Sequence, residues 1–142
     1  MKPLLLSLLC AVLPAAPLLA VSNDEIAARK SAYDLAGAFT NDGFKLRDGC
    51  WSGKIEPKKS LVLQVNLYAG NQYWFSLAAS DAAKKVAVSI YDEAGKPVAF
   101  DPYSDEAKAA AGFAPTASGP YYIKVEEVEG SNAAFCLLYS YK

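Results

Sequence analysis

From Phe44 to Tyr141 the apolar residues of this chain fall on every second position, and a chain with that period has few folds open to it. Leu61, Leu63, Val65 and Leu67 alternate with Val62, Gln64, Asn66 and Tyr68. The same rhythm runs through Tyr73, Phe75 and Leu77, through Val86, Val88 and Ile90, and through Tyr121, Ile123 and Val125. It returns at Phe135, Leu137, Tyr139 and Tyr141. Successive strand side chains point to opposite faces, so each run has one face for a core and one for something else. That is the pattern of antiparallel sheets. Turn residues separate the runs: Gly70-Asn71, Glu93-Ala94-Gly95, Ser118-Gly119 and Gly130-Ser131-Asn132. Val98 with Phe100 and a stretch near Phe113 add shorter strands. About eight short strands at this spacing predict an all-β, antiparallel sandwich of jelly-roll type. Leu63, Val65, Phe75, Val88, Ile90, Tyr121, Ile123 and Leu137 should form its core, with Gln64, Ser89 and Lys124 facing away. Ala107 to Ala111 is rich in the best helix former but lacks an amphipathic run, so a loop or short strand is expected there.

The period is different before Phe44. Lys2 is the only charge ahead of Asp24, and the apolar run from Leu4 to Leu19 is broken by Pro14 and Pro17. A basic start, a short apolar region and small residues after it predict a signal peptide over residues 1–22. The run is too short and too interrupted for a membrane span, so no membrane insertion is expected after cleavage. The protein should therefore be periplasmic or secreted. Residues 23–42 read as a helical segment. Ser22 can cap it, Glu25 stands at the capping-box spacing, and Ala28, Ala32, Leu35 and Phe39 share one face. Asn41-Asp42-Gly43 ends it. Whether this helix packs on the sandwich or acts as a spacer is left open by the pattern. The remainder, residues 43–142, makes one domain.

Three segments carry a family resemblance. Ala69, Gly70, Tyr73 and Phe75 open one strand; Val88, Ile90, Tyr91, Asp92, Gly95, Val98 and Ala99 form a strand and its turn; Ser118, Gly119, Tyr121, Tyr122, Ile123 and Val125 form a closing strand. In order and spacing they resemble the bacterial pre-peptidase C-terminal domain, a jelly-roll sandwich of secreted proteins. The resemblance covers roughly residues 44 to 142. It implies an accessory module of the kind usually appended to a protease or other exoenzyme; ahead of it this chain has only the signal and one helix. Relatives often carry an acidic residue before the second of these strands, where this chain has Lys84-Lys85. A calcium role is therefore not carried over.

The chemistry of the chain points the same way. It contains no histidine, which removes histidine triads, histidine bases and histidine metal sites. No phosphate-binding glycine loop is present. A net charge of −1, one unit more negative without Lys2, offers no electrostatic footprint for nucleic acid. We expect no enzyme, no cofactor and no metal; Asp92, Asp101 and Asp105 would be the first ligands to test were a cation bound. Cys50 and Cys136 are the cysteines left after signal cleavage, and export predicts that they pair as a disulfide. Tyr68, Trp74, Tyr91 and Tyr122 fall on the strand phase opposite the main apolar stripe. They either make an exposed aromatic face or are covered by the helix. Three readings follow: a non-catalytic binding or accessory module whose partner is an unknown protein or polysaccharide, a carbohydrate-binding protein using that aromatic face, and a secreted enzyme inhibitor presenting a loop such as Asp101 to Ala107.

Overall fold

A computed structural model describes residues 20–142, so the expected signal peptide lies almost wholly outside the described residues. Two antiparallel sheets face each other. In the first, β1 (Lys45–Leu46) and β2 (Trp51–Ile55) both pair with β9 (Ala133–Tyr141). On its other side β9 pairs with β4 (Tyr73–Ala79), followed by β7 (Lys108–Phe113) and β6 (Asp101–Asp105). The second sheet has the order β3 (Ser60–Leu67), β8 (Gly119–Gly130), β5 (Ala83–Tyr91).

The chain changes sheet at almost every connection. The order β2-β9-β4-β7 opposite β3-β8-β5 is that of a jelly roll in which the second sheet has lost one edge strand. Its place is held by the segment expected to be a strand at Val98 and Phe100. That segment makes only a bridge from Tyr91 to Pro97 and a bond from the Val98 N–H to the Ile90 carbonyl, 3.0 Å. Pro97 has no N–H to donate, so a ladder does not propagate through it. The strand forms one step later as β6, where a loop was expected. Its hairpin partner β7 contains the alanine run. Ala109 and Ala111 face the core and Ala110 is buried on the opposite side, so burial overrides their helix propensity.

The core lies between the sheets along the phase expected from the alternation. Val65, Phe75, Val88, Ile90, Tyr121, Ile123 and Leu137 are buried there, and Leu63 packs against them half-buried. Leu63 and Ile90 flank Ile123 on either side in register. Gln64 is exposed, and Ser89 and Lys124 are half-buried on the outer face.

Helix α1 (Asn23–Gly37) starts as expected, the Ser22 hydroxyl accepting from the Glu25 N–H at 3.2 Å. A 3-10 turn at Thr40–Asp42 and Gly43 at φ +87° end the segment. The helix packs on the outer face of the first sheet. Ala28, Ala32 and Ala36 sit on Ala78, Ala134, Cys136 and Leu138. Methyl against methyl lets the axis lie close, and it buries the second face of β4 and β9.

Phe39, just past the helix, stacks on Trp74 with centroids 4.2 Å apart and planes 7° from parallel. Trp74 in turn covers Gly112, its in-register neighbour on β7. A Cβ at Gly112 would meet the indole at 2.8–2.9 Å. Gly112→Ala is therefore expected to displace the ring and cost about 1–3 kcal/mol of stability in a denaturant titration. An unchanged midpoint would mean that the Phe39–Trp74–Gly112 stack places no constraint on the sheet.

Candidate functional site

After β1 the Arg47 N–H donates to the Tyr139 carbonyl at 3.0 Å, holding the chain against β9 for one more residue. Asp48 and Gly49, the latter at φ +89°, then turn it outward before it rejoins β9 at Trp51, opposite Leu137. This arc lays Arg47 over the Tyr139 ring, the guanidinium carbon 5.1 Å from the centroid. Trp51 stacks on the same ring at 5.8 Å, and Tyr73 meets it edge-on at 6.0 Å. Across from this wall stand Asn66 at the end of β3 and Tyr68 just beyond it. Between the two walls is a cleft of about 280 Å³, with Tyr141 at its rim. A second hollow of about 310 Å³ adjoins it, sharing Arg47 and Tyr139 and adding Asp48, Cys50 and Trp51.

Hydrogen bonds fix this geometry. The Tyr73 hydroxyl accepts from the Tyr68 N–H at 3.0 Å and from the Asn71 side-chain amide at 3.1 Å. Both lone pairs are then engaged, and its proton is what it has left to offer. Gly70, at φ +92°, permits the tight reversal between those partners. Burial pushes the Tyr139 phenol up, and it stays a neutral donor as phenols do at neutral pH. Among the described residues no carboxylate pairs with Arg47.

A further hollow, about 450 Å³, is lined by Asp92, Phe113, Ser118 and Tyr121 among others. Three of its polar groups are committed to turns, while the Glu93 and Thr116 side chains are not. Asp92 accepts from the Lys96 N–H, Ser118 from the Ala69 N–H, and the Tyr121 hydroxyl donates to the Ala117 carbonyl. These bonds shape turns.

The four aromatics singled out from the sequence do not form one platform. Tyr68 stands in the cleft, 62% exposed. Trp74 is under Phe39 on the helix side of the first sheet. Tyr91 and Tyr122 are register partners on the outer face of the second sheet, both half-buried. The carboxylates do not converge either. Asp92 caps its own turn, while Asp101 and Asp105 end the same five-residue strand, about 13 Å apart at strand rise. Asp105 pairs with Lys108 at 3.4 Å. Arg47, Trp51 and Tyr139 went unread as a group because they meet only through the β1–β2 arc. The polar turn Arg47-Asp48-Gly49 was the one local signal.

Cys50 and Cys136 come together as expected, but as thiols 3.6 Å apart rather than as a bonded pair. Cys136 lies under α1, and Cys50 is half-buried at the entry to β2. Burial, and then the hydrogen bond with Cys50, pushes the Cys136 thiol up to about 12.

One buried group was not anticipated. Glu127 continues the inward phase of Tyr121, Ile123 and Val125, is fully buried, and has no partner on either carboxylate oxygen. It lies beside a double irregularity in the β5–β8 ladder and against Gly130. The signal was in the alternation itself, a carboxylate in an apolar phase. No helix among the described residues is long and apolar enough to cross a membrane. Comparison with protein-family models and with curated protein sequences gives no match.

Desolvation raises the Glu127 pKa above its ordinary value. A raised carboxyl leaves stability intact below the unfolded pKa of about 4.3 and removes it as pH rises through the folded value. Glu127→Gln should therefore match the wild type near pH 4 and exceed it in denaturant midpoint near pH 7. A difference that does not change with pH would show that Glu127 folds in one charge state throughout.

Proposed function

We propose that this protein is an exported, non-catalytic binding module of the pre-peptidase C-terminal type, and that its ligand is a saccharide held in the Arg47–Tyr139 cleft. The observation that carries this reading is the side chains of that cleft. Tyr68, Tyr141 and Arg47 are exposed there without a fold-building task, beside the committed Tyr73 and Tyr139. Aromatic rings take the apolar faces of sugar rings, and the amides and guanidinium supply directional bonds to hydroxyls. The absence of histidine from the sequence and the basic-then-apolar start of the chain agree with a non-catalytic, exported role. The alternative platform of Tyr68, Trp74, Tyr91 and Tyr122 is less favoured, since those rings lie on three separate surfaces. The inhibitor reading is less favoured, since Asp101–Asp105 is a strand and only Glu106-Ala107 turn beyond it.

Trp51 reports on this site. Titration with soluble polysaccharides is expected to shift tryptophan emission, and Trp51→Phe should abolish the shift while calorimetry still detects binding. Silence in both readouts across neutral and acidic polysaccharides would overturn the proposal.

In an oxidising compartment Cys50 and Cys136 should close into a disulfide, since they already touch and an export signal delivers them there. Closing a loop of more than 80 residues is worth about 4 kcal/mol in the loop-entropy account. Protein recovered from the native envelope should refuse alkylation when denatured without reductant and take up two labels with it. Two labels without reductant would show that the pair works as thiols.

A further inference from the structure

We infer that the cleft selects saccharides bearing carboxylates, and that Arg47 is the residue that takes the carboxylate. The inference rests on the binding reading above and names its ligand class. Among the described residues Arg47 is the only formally charged side chain lining the tyrosine cleft. Asp48 faces the adjoining hollow instead. A solitary cation here runs against the chain as a whole, whose net charge is −1.

The guanidinium lies over the Tyr139 ring, which restrains it from one side and leaves its N–H edges for a ligand. A planar fork of donors matches a carboxylate through two parallel bonds, a match a hydroxyl does not make. The neighbouring groups add to the donor side. The Tyr73 hydroxyl has both lone pairs filled and keeps only its proton. The Tyr139 phenol, pushed up further by burial, keeps its proton as phenols do at neutral pH. Asn66 and Asn71 bring amides to the other wall, each with N–H donors and a carbonyl acceptor, one Asn71 N–H being already given to Tyr73. A sugar ring seated on Tyr68 or Tyr141 with its acid group toward Arg47 would satisfy this surplus of donors. A neutral sugar would offer the guanidinium only single hydroxyl oxygens, not the paired anionic oxygens that its fork matches.

The test uses the whole folded protein and four probes of equal length: an oligogalacturonate, its methyl ester, a neutral oligosaccharide and a sulfated one. Calorimetry should show the acid binding about 10-fold or more tighter than its ester, with the advantage shrinking as salt rises. Charge-assisted hydrogen bonds contribute about 1.5–3 kcal/mol, so Arg47→Gln should weaken acid binding about 10- to 150-fold and ester binding far less, the ester losing only neutral hydrogen bonds. Arg47→Lys, which keeps the charge but not the fork, should fall between. Arg47 is exposed, and an unchanged thermal midpoint will confirm that each variant folds. Equal binding of acid and ester, untouched by Arg47→Gln, would overturn the selectivity while leaving the saccharide reading in place. A sulfated oligosaccharide bound as tightly as the carboxylate would also overturn it, since charge alone would then decide. No binding of any probe would bring down both.

Discussion

Everything else in this fold hangs on β9 and β4 being covered on both faces. One face meets the second sheet through Phe135, Leu137, Tyr139, Phe75 and Leu77; the other meets α1 through Ala78, Ala134, Cys136 and Leu138. A two-layer sandwich would leave that outer face wet and would need polar residues there. This chain instead writes Ala133 to Ser140 as a nearly unbroken apolar run, and all eight are buried. The helix has to be there for that sequence to be soluble as a folded unit. It is held by methyl groups, which bury little area each, so its attachment also draws on the Phe39–Trp74 stack at its far end. The two buried hydroxyls without partners, Ser76 and Ser140, lie on strands of this sheet and are a small charge against it.

Much of this was legible because alternation reports burial directly. The inward phase of β5 and β8 could be read residue by residue, that of β3 from Leu63 on while Leu61 is exposed, and the helix could be read from Ser22, Glu25 and the face of Ala28 and Ala32. What escaped was whatever depends on pairing across the chain. β1 is two residues long and β2 contains Gly53, so neither has a period to read; both exist because β9 offers them an edge. The missing eighth strand was hidden by a single residue, Pro97, in an otherwise strand-like stretch. The alanines of β7 look helical by propensity, yet the strand is buried on both faces and packing decides against it.

The candidate site was legible in its parts and not in its assembly. Tyr68 was singled out for the right phase, yet its companions in the cleft come from strands that carry inward-facing tyrosines at their ends. Tyr73 and Tyr139 belong to the core by alternation, and they are in it. They also sit where the core stops and the sheets part, so each ring serves packing on one side and the cleft on the other. A purely periodic reading assigns a residue to one face and has no way to say that the face runs out. The three-surface scatter of Tyr68, Trp74, Tyr91 and Tyr122 has the same origin, since equal phase places residues on equal faces only within one sheet.

The arc from Arg47 to Cys50 joins the two features that distinguish this molecule from a plain sandwich. Arg47 ends the pairing of β1 with β9, Cys50 precedes the pairing of β2 with the same strand, and between them Gly49 takes a backbone conformation that a side chain resists. The arc is therefore anchored at both ends to one strand, and its length allows the guanidinium little choice but the face of Tyr139. A bond from Cys50 to Cys136 would add a covalent anchor on β9 at the arc's second end. Ordering the arc before a ligand arrives lowers the entropy that binding must supply, and affinity gained in that way needs no additional contact. Closing the thiol pair should therefore tighten whatever the cleft binds without changing which ligand it prefers, because the selecting group, Arg47, is held from the other end by the Tyr139 carbonyl.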